Sequence, residues 1–139
     1  MKRISILTLV FSLIIAAVAI SQSIALKTEK TKAAVFEWKA TSHDFGKIPQ
    51  GTPVTAEFVF KNSGNAPLVI SNAQGSCGCT VPEYTKSPIA PGKEGIIKAT
   101  FNAAASGPFN KTVTITANTE KGQEILTIKG EVVPAKAAN

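Results

Sequence analysis

The sequence predicts an all-β fold, an Ig-like antiparallel β-sandwich of about seven strands preceded by an N-terminal signal peptide. Three observations carry this reading. Hydropathy alternates with a period of two through most of residues 35–133, turn-forming clusters interrupt it at short intervals, and no long window beyond the N-terminal segment shows a helical period.

The N-terminal segment opens Met1-Lys2-Arg3, runs apolar from Ile4 to Ile20 with only Ser5, Thr8 and Ser12 interrupting, and ends in small and polar residues before Lys27. That is the layout of a secretory signal peptide. Ser23-Ile24-Ala25 offers a small-x-small cleavage site before Leu26, and Ala17-Val18-Ala19 a second. The alternative is a retained anchor, since a 17-residue, mostly apolar run is at the short limit for crossing a hydrocarbon core of roughly 30 Å. Either way the expected location is the cell envelope, periplasmic or extracellular. No cysteine lies near the end of the apolar run to take a lipid, and Lys2-Arg3 is not a twin-arginine signal.

Cleavage after Ala25 leaves 114 residues, enough for one domain with one core. Its basic residues fall from 15 to 13 against 9 acidic ones, a net charge of +4, and all 13 are lysines. Without arginine the domain lacks the bidentate fork that base edges and phosphates favour, and its lysines are scattered. Nucleic-acid binding is therefore not expected. The lysines read as a solvated surface that also protects strand edges.

Residues 26–34 read as a flexible leader, residues 35–133 as the sandwich, and residues 134–139 as a disordered tail. Short strands are expected at Val35 to Lys39 and Asp44 to Ile48. Val54, Ala56, Phe58 and Phe60 then alternate with Thr55, Glu57, Val59 and Lys61. Leu68 to Ser71 is a further short candidate. Ile97, Ala99 and Phe101 alternate with Lys98 and Thr100; Val113, Ile115 and Ala117 with Thr112, Thr114 and Thr116; Leu126, Ile128 and Gly130 with Thr127, Lys129 and Glu131. Pro49-Gln50-Gly51, Asn62 to Asn65, Pro91-Gly92, Ser106-Gly107-Pro108 and Asn118 to Gly122 supply the turns between them. The strand-placed aromatic residues fall on the apolar side of the alternation and read as core, with Phe109 as the expected exception in a loop. The two cysteines and Trp38 do not match the antibody hallmark, which needs distant cysteines bridging the sheets.

Six motifs recur in a recognisable order: His43-Asp44-Phe45-Gly46; Gly51; Phe58-x-Phe60-x-Asn62-x-Gly64; Pro67-Leu68-x-Ile70; Ser76-Cys77-Gly78-Cys79-Thr80; and Pro88-Ile89-Ala90-Pro91-Gly92. Together they resemble a family of secreted bacterial domains of unknown function, itself similar to the Ig-like domains of the abnormal-spindle and hydin proteins and more distantly to major sperm protein and PapD-type folds. The resemblance implies the fold and an exported location, and carries no activity. It marks His43, Gly46, Gly78, Pro91 and Gly92 as motif residues of structural role.

Chemistry is concentrated at Cys77-Gly78-Cys79, the candidate disulfide or redox pair. In a flat strand residues two apart have Cα atoms about 6.6 Å apart, near the upper limit for a disulfide. Gly78 is expected to bend the chain through a positive φ. The bridge would close a loop of three residues, for which chain entropy supplies only ~1.6 kcal/mol, so a stability staple is a poor explanation. A redox-labile dithiol is the functional alternative, although no helix N-terminus is expected beside it to lower a thiol pKa. Two thiolates also suit Cu(I), whereas zinc needs four ligands and His43 brings the set to three at most.

His43, the only histidine, is expected to hydrogen-bond across a strand or turn. Nothing in the spacing places it against a thiol as a catalytic base, and no G-x-S-x-G motif occurs. The expected function is an exported non-catalytic module, structural or protein-binding, with no cofactor and no metal. Its partner would be an unidentified exported or envelope protein, and the membrane is met only through the N-terminal segment if uncleaved. A thiol redox or Cu(I)-binding protein is the alternative. A PapD-like chaperone working by strand addition is a narrower version of the first reading, without a basic anchor for a carboxylate.

Overall fold

The computed structural model describes residues 32–135. The signal peptide and most of the leader lie outside the described residues. Among the described residues eight strands follow one another with no helix between them: β1 (Phe36–Trp38), β2 (Ser42–Pro49), β3 (Val54–Asn62), β4 (Ile70–Gly75), β5 (Thr80–Tyr84), β6 (Glu94–Phe101), β7 (Gly107–Ala117) and β8 (Gln123–Val133). They form two four-stranded sheets, β1-β3-β6-β5 and β2-β8-β7-β4. This is the ABED and GFC arrangement of an Ig-like sandwich, with the first strand split so that β1 lies in one sheet and β2 in the other.

Two features depart from the sequence expectation. β2 runs parallel to β8, because the chain changes sheets between Trp38 and Ser42 without reversing direction; the other pairs of these strands are antiparallel. The unexpected strand is β5, which is short and carries Pro82. Proline is tolerated there because β5 is a sheet edge. Thr85 donates its amide to Ile96 and Cys79 accepts from Asn102, so the odd-numbered residues of β5 bond β6 and Pro82 faces the open side, where its missing N–H breaks no ladder.

Period-two alternation fills the space between the sheets. Phe58, Phe60, Ile97, Val113, Ile115, Leu126 and Ile128 are each at most 1% exposed, and each such side chain contributes roughly 1.5–3 kcal/mol of burial. Phe109, expected in a loop, belongs to this core. It lies in β7 on the same face as Val113 and stacks on Phe101 with ring centroids 4.2 Å apart, because β7 begins at Gly107 rather than after the Gly107-Pro108 pair.

One polar residue among those described is fully enclosed. Asn62, 0% exposed, continues the inward series of Phe58 and Phe60. Its Nδ2 donates to the carbonyls of Ala66 and Ile89, both at 2.8 Å, and its Oδ1 accepts from the amides of Gly64 at 3.0 Å and Val35 at 3.3 Å. Every hydrogen-bonding position of the amide is thereby used, as burial requires.

The same node moves the start of the fold. Ala34 is 2% exposed and forms a bridge to Thr119, while the Ala33 amide donates to Asn65 Oδ1 at 2.7 Å. The chain from Ala33 onward is thus part of the sandwich and not of a flexible leader. Gly64 permits this approach, since a Cβ there would meet the Val35 nitrogen at 2.8 Å and overlap the Ala33 carbonyl.

Candidate functional site

Cys77 and Cys79 occupy the corner where the chain leaves β4 for β5 and crosses between the sheets. They are joined in a disulfide with Cα atoms 5.2 Å apart. The corner is tied on both sides by bonds that do not involve sulfur. Ser76 donates its amide to the Thr112 carbonyl at 2.8 Å, and the Thr112 amide donates to Ser76 Oγ at 3.1 Å, which fixes the corner to β7. The Thr80 amide closes a turn onto the Cys77 carbonyl at 3.3 Å, and the Asn102 amide reaches the Cys79 carbonyl at 3.1 Å.

Gly78 does not act as expected. It lies outside the left-handed region, and a Cβ added to it would meet nothing within 4 Å. The bend comes from the hydrogen-bonded turn between Cys77 and Thr80. The glycine that the corner needs is Gly75, whose added Cβ would overlap the Thr80 carbonyl and stand 3.3 Å from that of Cys77. Its approach to Thr80 is a contact across the corner that no local motif announces.

The remaining motif residues lie elsewhere. His43 is on β2, the edge of the second sheet opposite β4, three strand spacings or roughly 14 Å away. In place of a hydrogen bond it makes an edge-on ring contact with Phe45 at 4.5 Å. Asp44 Oδ1 accepts the Gly46 amide at 2.8 Å, and Gly46 takes φ +63°, which together form the irregularity between Asp44 and Lys47 in the β2–β8 pairing. Beside it, Gly130 leaves a shallow hollow of about 440 Å³ over Phe109, rimmed by Asp44, Lys47, Lys129 and Glu131. Pro91 and Gly92 form the tight turn into β6, closed by Lys93 N–H to Ala90 O at 3.0 Å with Gly92 at φ +78°. Among the described residues no three His, Cys, Asp or Glu side chains gather as a metal site.

The outer faces of the two sheets differ in chemistry. The first sheet presents Glu37, Glu57, Lys61, Glu83, Glu94 and Lys98 between its apolar positions. Lys98 pairs with Glu57 at 3.0 Å, and that hydrogen bond, then the Glu57 charge, with Glu83 behind it, holds the Lys98 ammonium above its ordinary pKa against a small opposing effect of burial. The second sheet presents Asn72 and Gln74 from β4, Asn110, Thr112, Thr114 and Thr116 from β7, and Gln123, Ile125 and Thr127 from β8. That part of the face is uncharged, with Ile125 at 61% exposure at its rim, whereas toward β2 the same sheet presents Asp44, Lys129 and Glu131.

A family model matches residues 36–132, nearly the whole sandwich. The chain belongs to the DUF1573 family, described as proteins of unknown function. No protein of curated function matches this DUF1573 chain in sequence. Among solved structures it is similar to a protein of unknown function from Porphyromonas gingivalis W83, with a TM-score of 0.65 and 18% identity over 77% of this chain and 51% of that one. It is also similar to the ASH/PapD-like domain 7 of human CEP192, with a TM-score of 0.59 and 11% identity over 84% of this chain and 97% of that domain. A third likeness is to the VesB protease of Vibrio cholerae, with a TM-score of 0.58 and 15% identity over 70% of this chain and 32% of the protease. The chain thus spans about half of the Porphyromonas protein and a third of the protease. At these identities the shared feature is the Ig-like, PapD-like sandwich.

Proposed function

We propose that this protein is an exported, non-catalytic Ig-like module that binds another exported or envelope protein through the uncharged patch that β4, β7 and the start of β8 form on the outer face of its second sheet. The observation that carries the reading is the contrast between this uncharged patch and the charged outer face of the first sheet. Residues such as Asn72, Thr112, Thr114 and Thr116 can be covered by a partner without stripping water from a charge, and depletion of charged residues marks the centres of protein interfaces.

Strand addition is disfavoured by the edges themselves. β1 has three residues, β5 presents Pro82 to its open side, and β2 is broken by the Asp44–Lys47 irregularity. The Tyr84 hydroxyl meanwhile donates to Ser71 on β4 at 3.3 Å. A non-catalytic role is supported by the placement of His43, whose β2 edge keeps it away from the Cys77–Cys79 pair.

A photoreactive residue placed at Thr114, and in a separate variant at Lys98, tests the reading in cells. A discrete crosslinked protein product is expected from position 114 and not from 98, and Ile125→Lys or Thr112→Lys should weaken that complex roughly tenfold or more without unfolding the domain. Crosslinking from position 98 alone, or from neither position, overturns it.

A further inference from the structure

We propose that the Cys77–Cys79 pair is a thiol–disulfide exchange couple, built so that it opens and closes without disturbing the sandwich, with the Thr80 hydroxyl favouring its reduced form. This corner adjoins the uncharged patch at Thr112 but rests on none of that patch's side chains.

Thr80 is 3% exposed, and its hydroxyl has one hydrogen-bond partner among the described residues, Sγ of Cys77 at 3.9 Å. A disulfide sulfur carries no hydrogen, so the hydroxyl is the donor. As part of a disulfide this sulfur is a weak acceptor, and as a thiolate it is a strong one. A buried donor is thus aimed at one of the two sulfurs whose capacity to accept rises on reduction. The backbone ties of Ser76 to Thr112, Thr80 to Cys77 and Asn102 to Cys79 hold the two cysteines in place whether or not sulfur joins them. A three-residue loop adds little chain-entropy resistance to opening.

The two sulfurs are not equivalent. Cys79 packs against the core cluster, whereas Cys77 is held by the Thr80 hydroxyl. An incoming thiolate attacks Sγ of Cys77, the Cys77–Cys79 bond breaks, and Cys79 leaves with the electron pair and takes a proton from water. A second thiolate then attacks the outer sulfur of the mixed disulfide and releases Cys77 as a thiolate. The pair gains two electrons and two molecules of thiol become one disulfide. The reverse sequence closes it again. Thr80 is a positioning residue in this exchange.

The test titrates the purified protein with mixtures of reduced and oxidised glutathione, scores the pair by alkylation and mass, and follows the backbone by amide NMR spectra. The pair is expected to pass between disulfide and dithiol across the glutathione range, with amide shifts confined to the corner. Thr80→Val should move the equilibrium toward the disulfide by roughly tenfold, and Thr80→Ser, which keeps the hydroxyl, should restore it. With Cys79→Ser, oxidised glutathione should trap a mixed disulfide at Cys77 faster than Cys77→Ser traps one at Cys79. A disulfide that stays closed in excess reduced glutathione, or that opens only as the folded spectrum is lost, overturns the proposal. An unshifted equilibrium in Thr80→Val removes the role given to Thr80.

Discussion

Asn62 and the Cys77–Cys79 pair lie toward opposite ends of β6, the first beside its start at Glu94 and the second beside its end at Phe101. Each ties segments together. The disulfide is covalent but links positions two apart in sequence, so it removes few conformations from the unfolded chain. Asn62 makes only hydrogen bonds, yet it joins β3 to the chain entering β1 and to Ile89, each 27 residues away. Removing it would take the side-chain partner from the Val35 and Gly64 amides and the Ala66 carbonyl, all partly buried, and one of two donors from the Ile89 carbonyl. The lesson is that sequence span and the cost of unsatisfied partners outweigh bond strength in deciding what holds this fold.

The largest expected effect follows from the noncovalent side. Asn62→Ala should lower unfolding free energy by about 2–4 kcal/mol in urea titration, since two donors and the Ala66 carbonyl lose their side-chain partner and the Ile89 carbonyl keeps only the Leu68 amide; a loss below about 1 kcal/mol would dissolve the contrast. Next is Gly95→Ala, near the same end of β6. Its new Cβ would overlap the Phe60 ring, and overpacking of this kind costs about 1–3 kcal/mol, readable as a lowered urea midpoint. Replacing both cysteines by serine should cost no more than about 1.6 kcal/mol in the same assay.

The smallest effect belongs to the charged face. Lys98→Ala should destabilise slightly, and the difference from the native protein should shrink in high salt because the Glu57 pair is exposed. A lysine whose folded pKa is raised contributes below its unfolded value and loses that contribution as pH rises through the folded one. The stability difference between the native protein and the Lys98→Ala variant should therefore stay constant from about pH 6 to about 9 and vanish only above the usual lysine range.

The alternation of Val54 to Phe60, Ile97 to Phe101 and Leu126 to Ile128 made the long strands legible, because each has one face in the core. Asn62 continues that parity onto an inward position, but its place at the head of the Asn62 to Asn65 turn signal hid it, and its partners at Val35 and Ile89 lie 27 residues away. β5 was hidden by Pro82, whose acceptability depends on lying at an edge. The placement of Phe109 depended on β7 starting at Gly107, well before its clear alternation from Thr112. At the corner, Cys77 and Cys79 stand out in any reading, but the aim of the Thr80 hydroxyl and the close approach at Gly75 are products of the crossing between sheets. Gly78, which the motif made prominent, bears neither constraint.

The most direct test of the claim that the sandwich stands independently of its disulfide is urea unfolding of the oxidised and the fully reduced protein side by side. The account predicts two cooperative transitions with equal slopes and free energies within about 1.6 kcal/mol of each other. Reduction that costs more than about 3 kcal/mol, or abolishes the cooperative transition, would contradict it and make the corner a structural staple.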